Sequence, residues 1–218
     1  MTSYVLVTGT DTGVGKTIAT AALALRRSTD GASVHVVKPV QTGVHADEPG
    51  DADVVAALSG VPVRELVRLP EPLAPVQAAT RAGRGLPSVQ QSSDAIARID
   101  ADVVIVEGAG GVVVGLDGAG GTLLDLGRAL EWHGPVEVVV VCRSGLGTLN
   151  HTWLTVDAVR RAGLPVAGLV IGSWPDPVPL SDRLNRGDLP RLTGAPLLAV
   201  LPEGLGQASP AALLAAWP

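Results

Sequence analysis

Short apolar runs rich in β-branched residues recur along the chain, and they restrict its fold more than any other feature. The six runs are residues 4–9, 34–39, 102–108, 136–142, 166–172 and 197–202. Each is nearly continuous instead of alternating with polar residues, as expected of strands that helices cover on both faces. The helix-compatible segments between them are residues 15–28, 51–59, 90–99, 122–132, 148–162 and 181–193. This alternation predicts an α/β fold with a single doubly wound, mainly parallel sheet.

A doubly wound sheet binds ligands at the carboxyl ends of its strands, so the residues that follow each strand are the candidates for a site. With 218 residues, 46% of them apolar, the chain suits one domain, residues 1–218. Residues 69–87, rich in Pro, Ala and Gly, show no clear period, and we expect them to form a loop over the site. The glycine-rich residues 118–121 are predicted to form a turn that ends at Thr122, the N-cap of the next helix.

The charge and cysteine content limit the possible partners. The formal net charge is -5 and the arginines are scattered, whereas a nucleic-acid surface needs clustered basic residues. The N-terminal segment has no basic leader, and no apolar run approaches the roughly 18 residues of a membrane span. The one cysteine, Cys142, excludes an internal disulfide, and we expect it to be an inert core thiol. We therefore expect a cytoplasmic protein without a nucleic-acid or membrane partner.

The stretch "GTDTGVGKT", residues 9–17, follows the first predicted strand and opens the first helix, which is the position of a P-loop. Its glycines allow backbone N–H groups to face a triphosphate, while Lys16 reaches the β- and γ-phosphates and the Thr17 hydroxyl can bind Mg²⁺. It has one residue more than the usual template between its first glycine and Gly15. It predicts a P-loop NTPase-like fold and a nucleoside triphosphate held by Gly13, Val14, Gly15, Lys16, Thr17 and Ile18.

The chain has only two lysines, and the second one also follows a predicted strand. It is Lys38, in "VHVVKPVQTG" at the end of the second run. We expect the second strand to lie beside the first, so that Lys38 faces the γ-phosphate from the side opposite Lys16. Its charge there would stabilise a transferring phosphoryl group or an anionic acceptor. The Thr42 hydroxyl would lie nearby.

Acidic residues follow or flank two of the predicted strands. Glu107 ends a strand in "VVIVEGAGG" and can bind Mg²⁺, as the acid of a Walker-B strand does. The small residues after it, Gly108, Ala109 and Gly110, would let backbone approach phosphate. Asp51 and Asp53 both begin a predicted helix, where acids commonly cap the first turn. Of these two, Asp53 is predicted to be a further Mg²⁺ ligand.

Residues 144–152, "SGLGTLNHT", follow the fourth predicted strand and open a helix, so they form a second anion-binding helix start. A dinucleotide fingerprint is excluded because its third glycine position is Asn150 and no acid ends the following strand. A carboxylate site suits this segment better. His151 is interpreted as an ordinary helix residue.

Together, "GTDTGVGKT", "KPVQTG", "VEGAGG" and "GLGTLNH" resemble, in order and spacing, the motifs of the dethiobiotin synthetase family. The resemblance extends from the first predicted strand to about residue 204. It implies a homodimeric enzyme that converts 7,8-diaminononanoate, CO₂ and MgATP into dethiobiotin, ADP and phosphate. It also implies a reaction through a carbamate and a carbamic-phosphoric anhydride.

The resemblance assigns roles to individual residues. It implies Thr12, Lys16 and Lys38 as catalytic residues, and Thr17, Asp53 and Glu107 as Mg²⁺ ligands. The substrate's amino or carbamate end would contact Thr12, Lys38, Thr42 and Gly111. The substrate's distal carboxylate would be received by the helix start of the neighbouring subunit, with Leu146, Gly147, Thr148 and Asn150.

One stretch departs from the family pattern. Many dethiobiotin synthetases carry Asn-Asp at the end of the fifth predicted strand, where the Asn amide can pair with adenine, but this chain has Gly172 and Ser173. Glycine has no side chain with which to read a base, and one hydroxyl separates purine patterns poorly. We therefore expect GTP, CTP or UTP to support turnover alongside ATP. The base would lie near Gly172, Ser173, Pro202, Glu203 and Gly204.

Two other functions stay open as alternatives. The first is a cobyrinate-type amide-forming ATPase, although such proteins usually carry a further glutaminase domain, for which 218 residues leave no room. The second is a partition-type nucleotide switch, whose turnover would not depend on a diamine. Partition ATPases carry a signature lysine five residues before the P-loop lysine, where this chain has Asp11.

Overall fold

A computed structural model describes residues 1–217 of the chain, and these residues form one sheet with helices on both faces. The strands are β1 Ser3–Gly9, β2 Val34–Thr42, β3 Val63–Leu69, β4 Val103–Gly111, β5 Val136–Cys142, β6 Val166–Trp174 and β7 Leu197–Pro202. The helices are α1 Lys16–Thr29, α2 Asp51–Ser59, α3 Pro75–Arg81, α4 Val89–Ala97, α5 Leu123–Leu130, α6 Thr148–Arg161, α7 Leu180–Thr193 and α8 Pro210–Ala215, with a 3₁₀ turn at Leu205–Gln207.

The strand order is β3-β2-β4-β1-β5-β6-β7, and every pair of neighbours is parallel. The predicted α/β class with a doubly wound parallel sheet is therefore confirmed. The expectation that the second strand lies beside the first is wrong, because β4 lies between β1 and β2. This order places the end of β4 between the P-loop, which follows β1, and the end of β2.

Alternate residues of the central strands enter two separate core layers, one on each face of the sheet. Tyr4 and Leu6 of β1 pack on the side of α5 and α6, whereas Val5 and Val7 pack on the side of α1 and α2. All four side chains are almost fully buried. Apolar burial on both faces explains why the strands have continuous apolar sequences.

Three elements were missed or misjudged. The first is β3, "VRELVRL", whose charged residues interrupt the apolar pattern because it is an edge strand with one neighbour, β2. The second is α3, which lies within residues 69–87 and begins with Pro75 at a position where proline is tolerated. The third is the C-terminal helix α8. The turn before α5 is as predicted, because the Thr122 hydroxyl accepts a hydrogen bond from the N–H of Leu124.

None of the helices within residues 1–217 is both long and apolar enough to cross a bilayer.

Candidate active site

The P-loop is a turn of two left-handed glycines between β1 and α1. Gly13 has a φ of 72° and Gly15 a φ of 92°, a region that other residues rarely adopt. Among residues 1–217, the N–H groups of Gly13, Val14 and Gly15 donate to no acceptor. These N–H groups, at the start of α1, are therefore available to phosphate oxygens.

Lys16 begins α1 and points back across this loop. Its Nζ donates to the carbonyl oxygen of Asp11 at 2.9 Å. Burial and the nearby charge of Lys38 lower the pKa of Lys16, although Glu107, Asp51 and Asp11 oppose this effect. Lys16 thus lies in the P-loop cradle with one hydrogen bond to the protein.

Lys38 lies at the carboxyl end of β2, and its ammonium is enclosed by acceptors. The register pairs Val37 of β2 with Val106 of β4, so Lys38 lies next to Glu107. The Lys38 Nζ is 2.5 Å from Asp51 Oδ2, 2.8 Å from Glu107 Oε1 and 3.2 Å from the Gly108 carbonyl oxygen. Burial disfavours the charged form, but the two carboxylates outweigh burial and raise the pKa of Lys38. Lys38 is therefore a buried ammonium held by two acids.

Three oxygen-bearing side chains converge where the P-loop meets β4 and α2. The Thr17 hydroxyl donates to Glu107 Oε1 at 3.1 Å, and Lys38 joins Glu107 to Asp51. Partial burial of Asp51 favours its neutral form, but the charge of Lys38 and hydrogen bonds from Lys38 and Thr17 outweigh it and lower the pKa of Asp51. A hydroxyl and two carboxylates are hard oxygen ligands, which suit Mg²⁺ when phosphates and water complete its shell.

Asp53 does not lie in this cluster, and this corrects the prediction that it is the second acid of the site. Its carboxylate accepts a hydrogen bond from the Gly50 N–H at 2.7 Å and pairs with Arg68 of β3 at 2.9 Å. The acid that turns inward is Asp51, whose N–H donates to the Gln41 side chain at 2.9 Å. Asp53 therefore fixes the start of α2, and Asp51 reaches the site.

A cavity of about 920 Å³ opens beside the P-loop and the two lysines. Its polar lining includes Thr12, Gly13, Gly15, Lys16, Thr17, Lys38, Gln41, Thr42, Asp51 and Gly110. Its apolar lining includes Ile18, Val40, Val44, Pro72, Leu73, Ala74, Pro75, Ala109 and Val114. Part of residues 69–87 thus borders the cavity, as expected. Glu107 lies beneath it with 1% of its surface exposed.

The end of β6 packs directly against the P-loop, on the other side from this cavity. A Cβ added to Gly172 would lie 2.0 Å from the Val14 carbonyl oxygen, and one added to Gly15 would lie 2.4 Å from the Gly172 carbonyl oxygen. Glycine at position 172 is therefore required by this close approach. Next to it, the Ser173 hydroxyl donates to Glu203 at 3.4 Å, and the Glu203 N–H donates to the Trp174 carbonyl at 3.1 Å.

The turn between β5 and α6 is built as a helix start, but it does not line the cavity of its own chain. Gly147 has a φ of 94°, and the side chains of Leu146 and Asn150 are exposed. The predicted role of Thr148 needs correction. Its hydroxyl donates to the Arg143 carbonyl at 2.6 Å and its N–H to the Gly145 carbonyl at 3.2 Å, so neither donor is free for a ligand.

Two interpretations of neighbouring residues agree with the structure. Cys142 is fully buried, and burial raises the pKa of its thiol to about 11. His151 is an exposed residue of α6. Sequence reasoning also missed an ion pair at the P-loop, in which Arg143 contacts Asp11 at 2.6 Å. The signal was an arginine immediately after a central strand.

The comparisons with known proteins agree with this site. A family model described as an AAA domain matches residues 3–208. The ATP-dependent dethiobiotin synthetase BioD of Streptomyces avermitilis is 48% identical over 99% of this chain and 90% of its own length. The protein of the same name from Rhodococcus jostii is 49% identical over 98% of this chain and 92% of its own length.

The chain belongs to the dethiobiotin synthetase family. Membership of this family, which the four motifs indicated, is thereby confirmed. The synthetase function is favoured over the cobyrinate-type and partition-type alternatives.

Solved structures with a similar fold are more distant in sequence than these synthetases. The cell division ATPase MinD of Pyrococcus furiosus has a TM-score of 0.57 at 19% identity, over 93% of this chain and 83% of that chain. The septum site-determining protein MinD of Pyrococcus horikoshii, complexed with Mg-ADP, has a TM-score of 0.51 at 20% identity, over 100% and 86% respectively. These likenesses show the P-loop NTPase fold alone.

The two acids of α2 give a matched test of the metal site. We predict that Asp51→Asn raises the Mg²⁺ concentration for half-maximal turnover at least about tenfold, because it removes a charged oxygen from the cluster. Asp53→Asn, which removes the same charge two residues away, should change it by less than about threefold. Mg²⁺ titrations at saturating nucleotide measure the effects of both substitutions. A larger effect of Asp53→Asn would contradict the placement of Asp51.

Proposed function

We propose that this protein catalyses the ATP-dependent carboxylation and ring closure of 7,8-diaminononanoate with CO₂, giving dethiobiotin, ADP and phosphate. The observation that carries the proposal is the meeting of two lysines, from the P-loop and from β2, at the polar end of one cavity. The names of the relatives, at 48% and 49% identity over nearly the whole chain, support the same activity.

The cavity matches the chemistry of such a substrate. Its polar end, with Thr12, Lys38 and Thr42, suits the amino and carbamate groups. Its apolar wall, formed by side chains such as Val40 and Leu73, suits a hydrocarbon chain. A partition-type switch has no need for an apolar wall at this position.

The proposed reaction runs through anions, which explains the need for two lysines. One substrate amine adds to the carbon of CO₂ to give a carbamate and releases a proton. A carbamate oxygen then attacks the γ-phosphorus, and the bond to the ADP oxygen breaks. The second amine attacks the carbamate carbon and expels phosphate as the ring closes, and its nitrogen releases a proton. Lys16 holds the nucleotide phosphates, and Lys38 stabilises the carbamate and its phosphorylated form.

Mg²⁺ is the proposed metal, and Thr17, Asp51 and Glu107 would hold it. When bound, it would neutralise charge on the β- and γ-phosphates. No group of three or more acidic, His or Cys side chains within residues 1–217 forms a metal site, so phosphate and water oxygens would complete the shell. The nucleotide phosphates would lie on the N–H groups of Gly13 to Thr17.

A homodimer is proposed because the helix start at residues 145–150 lies away from the cavity of its own chain. Large apolar side chains are exposed on and beside that segment, a feature of interaction surfaces. They are Leu146, Trp153, Leu154, Leu180 and Leu184, at 88%, 42%, 51%, 64% and 59% exposure. The substrate carboxylate would reach the partner subunit near Asn150. One domain and a cytoplasmic location are also proposed, supported by one continuous sheet and by biosynthetic enzyme relatives.

The activity itself has a direct test. Phosphate release from MgATP should depend on both diaminononanoate and bicarbonate, because the γ-phosphoryl group moves to a carbamate that both compounds form. Dethiobiotin should accumulate in equal amounts, measured by mass spectrometry. A rate that ignores both compounds would support the nucleotide-switch alternative instead.

Lys38 should be required for turnover and not for nucleotide binding. We predict that Lys38→Ala lowers kcat on the order of 100-fold or more, because a preorganised charge is lost at a developing anion. Lys38→Arg should fail as well, since a planar guanidinium does not fit the position of a compact ammonium. Affinity for the nucleotide in the absence of metal, measured by calorimetry, should change little in both variants. Near-native turnover by Lys38→Arg would contradict this role.

The site should discriminate only weakly among the bases of different nucleoside triphosphates. Gly172 has no side chain, and the Ser173 hydroxyl is hydrogen-bonded to Glu203. We therefore predict that ATP, GTP, CTP and UTP all support turnover, with kcat/KM values within about 200-fold of one another. The measurement is a comparison of kcat/KM for the four triphosphates. A preference for ATP above about a thousandfold would show that other groups read adenine here.

Subunit mixing tests the shared site. Asn150→Ala and Lys38→Ala should each be inactive alone, but a mixture should form heterodimers in which one of the two sites is intact. Random assortment in a two-fold dimer predicts recovery of about one quarter of native activity. Sedimentation of an active monomer, or a mixture that stays inactive although the subunits exchange, would contradict the shared site.

A further inference from the structure

The two lysines of the site differ in how many of their hydrogen-bond donors are already used. An ammonium has three N–H donors. In residues 1–217, Lys16 donates one hydrogen bond, to Asp11. Lys38 has three acceptors, Asp51, Glu107 and Gly108, at 2.5, 2.8 and 3.2 Å. Lys16 is therefore available to a phosphate, whereas Lys38 has no donor left for an acceptor molecule.

The saturation of Lys38 conflicts with its proposed role. A residue that stabilises a carbamate must direct at least one N–H toward it, and the Lys38 side chain is only 4% exposed. For a donor to become free, one of the three acceptors must be released, and the two carboxylates hold the ammonium at shorter distances than the Gly108 carbonyl oxygen does. Within the described residues, the other role that this site offers the two carboxylates is to bind a divalent cation together with Thr17.

We propose that Asp51 and Glu107 hold Lys38 in a closed position until a divalent cation takes over their oxygens, so that metal arrival frees the ammonium for the acceptor. The proposal rests on the proposed function, since the acceptor is the carbamate. Its physical basis is that two cations compete for the same carboxylates, and a divalent ion repels the ammonium from them. The lysine would thus act only when the metal and its nucleotide are in place.

The scarcity of lysine makes a direct test possible. Protein labelled with ¹⁵N at lysine Nζ should give only two side-chain ammonium signals, from Lys16 and Lys38. Lys38→Met assigns them by removing one signal. In the absence of metal, the three hydrogen bonds of Lys38 should protect its ammonium protons from exchange with water. When ADP is added to the native protein in EDTA, we expect the position and the exchange protection of this signal to stay unchanged.

Addition of Mg²⁺ to the ADP complex should then shift the Lys38 signal and accelerate its proton exchange at least about tenfold, as expected if a carboxylate is released. Unchanged position and protection of this signal at saturating Mg²⁺ and ADP would overturn the proposal. Because no turnover is involved, this failure is distinct from failure of the proposed function, which is judged by dethiobiotin formation.

Metal affinity gives a second, independent readout. Lys38→Met should bind Mn²⁺ without nucleotide at least about tenfold more tightly than the native protein, because the competing ammonium is gone, as measured by electron paramagnetic resonance. Arg143→Met is a matched control, since it removes a cation that contacts Asp11 instead of these carboxylates. It should change Mn²⁺ affinity by less than about threefold. Equal or weaker Mn²⁺ binding by Lys38→Met would also overturn the proposal.

Discussion

The pairing of the Lys38 ammonium with two carboxylates is the interaction on which the rest of the site depends. A lysine with 4% of its side chain exposed is costly to bury unless its charge is balanced. The sheet order provides the balance, because β4 lies between β1 and β2 and brings Glu107 to Lys38. The start of α2, held by Gln41 and Asp53, brings Asp51 to the other side.

This arrangement divides the site around the P-loop. On one side, the end of β6 approaches so closely that Gly15 and Gly172 leave no room for a Cβ on either residue. On the other side, β2, β4 and the segment before α3 enclose the cavity that we assign to the substrate. The nucleotide phosphates would lie between the two, where Lys16 and Lys38 can act on opposite ends of one transfer. Positioning of this kind is the main source of catalysis in phosphoryl transfer.

The sequence predicted the parallel sheet and the meeting of the two lysines, because apolar runs and the residues after them are local signals. It failed where contacts between residues distant in sequence determine the structure. The edge strand β3 was missed because charged residues interrupt its pattern, and Arg68 of that strand takes the carboxylate of Asp53. Because β3 was not predicted, the sequence could not show which of Asp51 and Asp53 enters the site, since both begin the same helix. The position of β4 between β1 and β2 was likewise not readable from local pattern.

We propose that the site transfers the γ-phosphoryl group to an acceptor in the cavity instead of to water. The most direct measurement is the isotope content of the released phosphate when the native enzyme turns over briefly with C¹⁸O₂, diaminononanoate and MgATP. A carbamate oxygen that attacks phosphorus stays on the phosphate when the ring closes, so we predict phosphate that carries one ¹⁸O atom from CO₂. Phosphate without that label, formed alongside dethiobiotin from labelled CO₂, would contradict it.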